Sequence, residues 1–265
     1  MTTQKQAFAA RMIGSLRGRG LVGSFKYIWI RFWMLFAGTG PTGRVAAWLV
    51  TWVAPPHFDR WGLRSLNPRG FVAPSANLHG KDIHLGPNIF VDDHVLISQG
   101  RDGGPIEIGA QVAICRNTII DTSLGGSITV GKNTILQPHC LLSAAKASIR
   151  IGADVNVAPY CAFYPHNHGL SLGQAIRTQP LDIKGDIVVE DGALLSHGVT
   201  VLSGVRIGKG AVIGAGSTVA SNVPDYAIAS GVPAKVFMKR QNPTEARSLE
   251  ESSVSRGSNP DRGAL

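Results

Sequence analysis

An aliphatic residue returns every six positions along much of this chain. The clearest run is Val189, Leu195, Val201, Ile207, Ile213, Val219, with earlier runs Ile151, Val157, Phe163 and Val130, Leu136, Leu142. A period of six matches neither the 3.6-residue helix nor the two-residue strand. It predicts a short strand and a turn, three times per coil of about eighteen residues, each aliphatic side chain pointing into the coil. Stacked coils repeat at about 4.8 Å, so equivalent residues line up as ladders. Glycine, 32 of 265 residues without a collagen period, suits the many corners. The expected class is therefore mainly β: a parallel β-helix.

A second repeat fixes where the coils begin. The tetrads Ile83-His-Leu-Gly86, Ile106-Glu-Ile-Gly109, Ile128-Thr-Val-Gly131, Ile149-Arg-Ile-Gly152, Ile187-Val-Val-Glu190 and Val205-Arg-Ile-Gly208 start 23, 22, 21, 38 and 18 residues apart. Coils longer than eighteen residues must extrude the surplus. It falls at one place in the cycle: Ser98–Pro105, Asp121–Ser127, Ser143–Ser148 and the long Tyr164–Asp186. The excursions should stack on one edge of the prism, and the longest is the one expected to carry function. Cys140 and Cys161 stand four places after Leu136 and Val157 in consecutive coils, so they read as small core residues. Three cysteines in all exclude a disulfide scaffold and fit a reducing compartment.

Residues 1–66 are a different kind of chain. They hold nine Lys and Arg (Lys5, Arg11, Arg17, Arg19, Lys26, Arg31, Arg44, Arg60, Arg64) against one acid, Asp59, and all five tryptophans, Trp29, Trp33, Trp48, Trp52 and Trp61. No apolar run reaches the eighteen or so residues a membrane span needs, and no secretory cleavage pattern follows a clean apolar core. A basic, Trp-rich helical segment is expected, either lying on an anionic membrane surface or packed against the β-helix. No nucleic-acid motif accompanies the charge. The expected division is 1–66, a 67–240 repeat domain, and a polar 241–265 tail read as disordered from its composition.

The hexads, with Tyr164-Pro-His-Asn-His-Gly169 opening the long loop, Ile176-Arg-Thr-Gln-Pro-Leu181 closing it, and Val212-Ile-Gly-Ala-Gly-Ser-Thr-Val219 followed by Val223-Pro224 and Gly231-Val-Pro-Ala-Lys235, resemble the bacterial hexapeptide-repeat acyltransferases. Among them the maltose, galactoside and exopolysaccharide sugar O-acetyltransferases are the most similar by motif. The resemblance covers about residues 70–240. It implies a left-handed parallel β-helix, acetyl-CoA as acyl donor, a sugar acceptor, a homotrimer with shared active sites, no metal, and a cytoplasmic location, with peripheral contact at the inner membrane face as an option for the basic segment.

The same resemblance implies the site. A loop histidine takes the proton of the attacking hydroxyl, a role suited to imidazole and worth about 10²–10⁴ in rate. His168 falls where these enzymes keep that base, and His166 takes the role if the loop is offset by two. Tyr164, Asn167, Arg177, Gln179 and His139 are candidate acceptor contacts, although Arg177 and Gln179 can equally tie the loop down. Ser196 and His197 stand where relatives read Trp-Ile-Gly, so only their backbone N–H groups remain as thioester or oxyanion donors. Ala215 and Gly216 belong to the expected end of the donor site, and Lys235 and Lys239 are its candidate phosphate contacts. The turn Ala220-Ser221-Asn222 lacks the cation often found there. The alternatives are an N-acyltransferase on an amino sugar, a non-catalytic scaffold, and a zinc hydratase that needs three converging histidines.

Overall fold

The computed structural model describes residues 20–241; the first nineteen residues, with Lys5, Arg11, Arg17 and Arg19, and residues 242–265 of the tail lie outside the described residues. From Phe71 to Val219 the chain winds through three parallel faces. The first face carries the strands that start at Phe71, Phe90, Ala113, Ile135, Asn156, Leu194 and Val212, and an antiparallel hairpin, Ala227–Gly231 with Ala234–Lys239, closes its far end. The second face has seven strands and the third six. Sheet neighbours come from successive coils, as a solenoid requires.

The six-residue period maps onto the interior. On the first face Val91, Ile114, Leu136, Val157, Leu195 and Ile213 are in register from coil to coil. On the second, Ile97, Ile120, Leu142, Phe163, Val201 and Val219 form the matching ladder. Every one of these side chains is buried. Cys140 and Cys161 are buried as expected, their thiols donating to the carbonyls of Ala158 and Ser196 in the next coil. Burial raises the Cys161 thiol to about 11 and that of Cys115 to about 12, so neither is a thiolate at neutral pH.

The corner after the third face is a glycine ladder. A Cβ at Gly131 would lie 2.5 Å from the backbone of Ala153 and Gly152 in the next coil, so the coils stack at 131 only because no side chain is there. We expect Gly131→Ala to cost about 1–3 kcal/mol through forced separation of the coils. Urea unfolding followed by circular dichroism measures it.

The excursions leave one edge, between the second and third faces, as expected, but three of them are shorter than the spacing suggested. The second-face strands run on to Gln99, Ser123 and Ala145. Ser143 pairs with Asp121, Ala144 with Thr122 and Ala145 with Ser123, so much of the surplus chain is an extended ladder. Only the fifth coil leaves the prism at length, between Tyr164 and Ile187.

The segment before residue 67 folds against the start of the prism. Helices α1 (Leu21–Met34) and α2 (Pro41–Thr51) are followed by a 3₁₀ stretch, His57–Ser65. Met34, Ala37, Ala47 and Val50 join Phe71 and Phe90 in one apolar cluster. Asn67 Nδ2 donates to the carbonyls of Met34 and Ala37, and Arg44 donates to those of Pro74 and Ala76. Arg60 is buried and paired with Asp93 at 2.8 Å. Thus Arg44 and Arg60, two of the nine basic residues of the segment, join it to the β-helix. Among the described residues no helix is long and apolar enough to cross a membrane.

Candidate functional site

The long loop leaves the fifth coil after Tyr164 and folds back over the same edge. Its opening strand, Asn167–His168, pairs antiparallel with Leu181–Asp182. Ser203, one coil further on, clamps the two ends: its hydroxyl donates to the Pro165 carbonyl at 2.7 Å and accepts from the Lys184 N–H at 2.9 Å. Gln179 is buried inside the loop and bonds both backbone groups of Ser171 and the Gln174 carbonyl. Of its two expected roles, tying the loop down is the one its contacts satisfy. Arg177 is exposed on a short 3₁₀ turn, Ile176–Thr178.

Under this loop lies an open cavity of about 480 Å³. Tyr164, His166, Asn167, His168, Leu170, Asp182, Lys184, Leu202, Ser203 and Ala220 line it. Four candidate residues therefore converge with five that sequence reasoning passed over. Lys184 and Asp182 carried no motif. Ser203 gave one faint signal, a hydroxyl at the corner position that follows the Val201-Leu202 strand, level with the loop's exit. Ala220 lines the cavity from the turn that lacks a cation.

The two histidines differ in setting. His168 is exposed at the cavity mouth, and its backbone N–H is held by the Asn167 side chain at 2.9 Å. His166 sits deeper, edge-on to the Tyr164 ring, and its Nδ1 is buried without a hydrogen-bond partner. Burial, and next the charge of His168, hold the His166 imidazole below its ordinary value; Asp121 opposes them. Asp121 in turn is pushed up by burial, against the Ser143 hydroxyl that donates to it at 2.9 Å and against His166. His166 is thus poised as a neutral imidazole near pH 7. Its titration midpoint should lie below the ordinary value of about 6.5. It should fall further in Asp121→Asn, which removes the attracting carboxylate, and rise in His168→Ala, which removes the repelling cation. Imidazole NMR titration reads all three, and an upward shift in Asp121→Asn refutes the coupling.

Other candidates stand elsewhere in the single chain. His139 lies on the corner between the first and second faces, stacked on Tyr160 at 4.7 Å, with His197 next at 5.3 Å from that ring. His139 therefore does not line the loop cavity of its own chain. The Ser196 N–H is spent on the Ile213 carbonyl at 3.0 Å and the Gly216 N–H on that of His197 at 2.8 Å. The Ser196 N–H is thereby engaged in the ladder between coils. Ala215 and Gly216 are exposed at the same corner, and Lys235 and Lys239 are exposed on the closing hairpin. Arg240, alongside them, donates to the Gly210 carbonyl. Among the described residues no group of three His, Cys, Asp or Glu side chains is placed to hold a metal ion.

Comparison with known proteins bears on the repeat. Residues 186–221 match the family model described as bacterial transferase hexapeptide (six repeats). No curated protein matches the sequence. Among solved structures, a hexapeptide-repeat-containing acetyltransferase from Vibrio cholerae is 28% identical over 43% of this chain, with a TM-score of 0.40, and the match spans 64% of that protein, just under two thirds. A mutant of AntD, an N-acyltransferase from Bacillus cereus solved with dTDP and coenzyme A, is 15% identical over 71% of this chain and 88% of its own, with a TM-score of 0.44. The polySia-specific acetyltransferase NeuO is 20% identical over 72% and 82%, with a TM-score of 0.43. The stretch that follows the long loop, residues 186–221, consists of hexapeptide repeats of the bacterial transferase type, built into a parallel β-helix.

Proposed function

We propose that the protein transfers an acetyl group from acetyl-CoA to a hydroxyl of a sugar, with His168 as general base. The observation that carries this reading is the convergence of two imidazoles, one of them held neutral, with a carboxylate, a lysine and a serine hydroxyl around one open cavity. That cavity adjoins repeats of the transferase type. The acceptor oxygen attacks the thioester carbonyl carbon as the imidazole takes its proton. The C–S bond then breaks, and the imidazolium returns the proton to the departing thiolate, leaving the acetyl ester and free CoA thiol. Asn167, Asp182 and Lys184 at the cavity offer donors and acceptors for sugar hydroxyls.

The donor's phosphates suit Lys235 and Lys239, the exposed cations of the closing hairpin, and its pantetheine arm suits the exposed corner at Ala215 and Gly216. A trimer fits the loop, whose Leu170, Leu172 and Ile176 side chains stand in solvent at 74%, 99% and 55% exposure. A neighbouring copy would cover them.

A second reading makes His166 the base. Its deeper position in the cavity, with a buried Nδ1, and the charge of Asp121, which opposes the lowering of its imidazole, favour it. The test is thiol release from acetyl-CoA with a panel of sugars and amino sugars, comparing the wild type with His168→Ala and His166→Ala. Turnover lost only in His168→Ala supports the assignment, and loss only in His166→Ala transfers the role. No thermal shift with acetyl-CoA and no turnover would overturn the transferase reading in favour of a scaffold.

A further inference from the structure

The two N-terminal helices are apolar on two sides, and the prism uses only one. On α1, Ile30, Trp33 and Met34 pack toward the core. Phe25, Ile28 and Phe32, spaced three or four residues apart, lie along the opposite side at 58%, 52% and 51% exposure, and Phe36 follows just beyond the helix at 52%. Trp48 on α2 and Trp52 just after its end stand out at 49% and 59%. The rings are linked through Trp33, which lies 5.8 Å from Trp29 and 5.1 Å from Phe32. Phe25 meets Trp29, Trp29 stacks on Trp52 at 6.2 Å, Trp52 meets Trp48 at 4.8 Å, and Phe32 meets Phe36 at 5.5 Å. The Trp29 indole N–H donates to the Leu49 carbonyl and pins the helices together. Such a large aromatic surface in water is unusual for a chain with no partner there.

Charge identifies the partner. No Asp or Glu precedes Asp59, whereas seven Lys and Arg do. Lys26 and Arg31 lie on the flank of α1 that carries Ile30, Arg44 is tied to the prism, and the other four stand at positions 1–19, just before α1 in the sequence. We infer that this aromatic face docks in the plane of an anionic lipid bilayer, with its rings at headgroup depth. Aromatic rings at that depth and basic residues near an anionic surface are the two contributions that hold an interfacial helix pair. The surface needs no acylation chemistry, so it stands or falls independently of the reaction proposed above.

The test is co-sedimentation of the full chain with phosphatidylglycerol-containing vesicles and with pure phosphatidylcholine vesicles, at low and high salt. The wild type should pellet with the anionic vesicles, much less with the neutral ones, and less at high salt. The triple variant Phe32→Ser, Trp48→Ser, Trp52→Ser should bind roughly tenfold more weakly or worse. Those side chains are half buried, so its melting temperature should fall, and binding is compared at a temperature where circular dichroism shows both proteins folded. A folded wild type that stays in the supernatant with anionic vesicles at low salt overturns the proposal, as does a folded variant that binds equally well. An assembly that only the triple variant dissociates, without vesicle binding, gives the face to a second copy instead.

Discussion

His168→Ala should lower acetyl transfer by about 10²–10⁴-fold, the range that a positioned general base contributes. A sugar hydroxyl is a poor nucleophile near neutral pH, and the cavity offers an exposed imidazole at its mouth to accept the proton. The loss should fall mainly on kcat, with acetyl-CoA binding retained. The donor contacts proposed at Ala215, Gly216, Lys235 and Lys239 lie off the loop, on the next corner and the closing hairpin. His166→Ala should do less harm, because its ring sits behind, against Tyr164. Steady-state thiol release with a matched donor-binding measurement separates these effects. A wild-type rate in folded His168→Ala removes that residue from the chemistry.

Phe163→Ala should be the most damaging of the core truncations bordering the site. The ring is fully buried inside the second face, in register with Leu142 in the coil before and Val201 in the coil after. Truncation loses the transfer free energy and leaves a cavity that stacked coils cannot easily close, a cost of about 3–5 kcal/mol. The melting temperature should fall by roughly 10 °C. Because Phe163 points inward, its neighbour Tyr164 lies on the outer surface at the cavity, so activity should fall even where the variant remains folded. Calorimetry with activity measured well below the melting transition tests both halves. A Phe163→Leu variant, which fills most of the volume, should recover most of each.

Much of this was legible because a hexad is a local code. The position of Val157 or Ile213 within its six residues sets which way the side chain faces, and successive coils repeat the setting. The edge from which the long loop emerges followed from counting surplus residues. The other three excursions were overestimated, since counting does not reveal that Ser143, Ala144 and Ala145 go on pairing with the coil before them. The convergence of Tyr164, His166, Asn167 and His168 was visible as adjacency in the chain. Asp182 and Lys184 were not, because the loop has no period and its return path depends on Gln179 and Ser203.

The sequence by itself determined the repeat, the inward-facing residues, the coil that opens, and the basic, aromatic character of the N-terminal segment, all of which depend on short-range spacing and composition. Only the tertiary structure decided which candidates share a cavity, that His139 and His197 stand on a different corner, and that the Ser196 N–H is consumed by Ile213. It also decided that Arg44 and Arg60 are internal ties while Phe32, Trp48 and Trp52 stay in solvent. The physical reason is one of range. A side chain's face within a coil is fixed by its immediate neighbours, whereas its partners come from coils and helices tens of residues away, brought together only when the apolar interior closes.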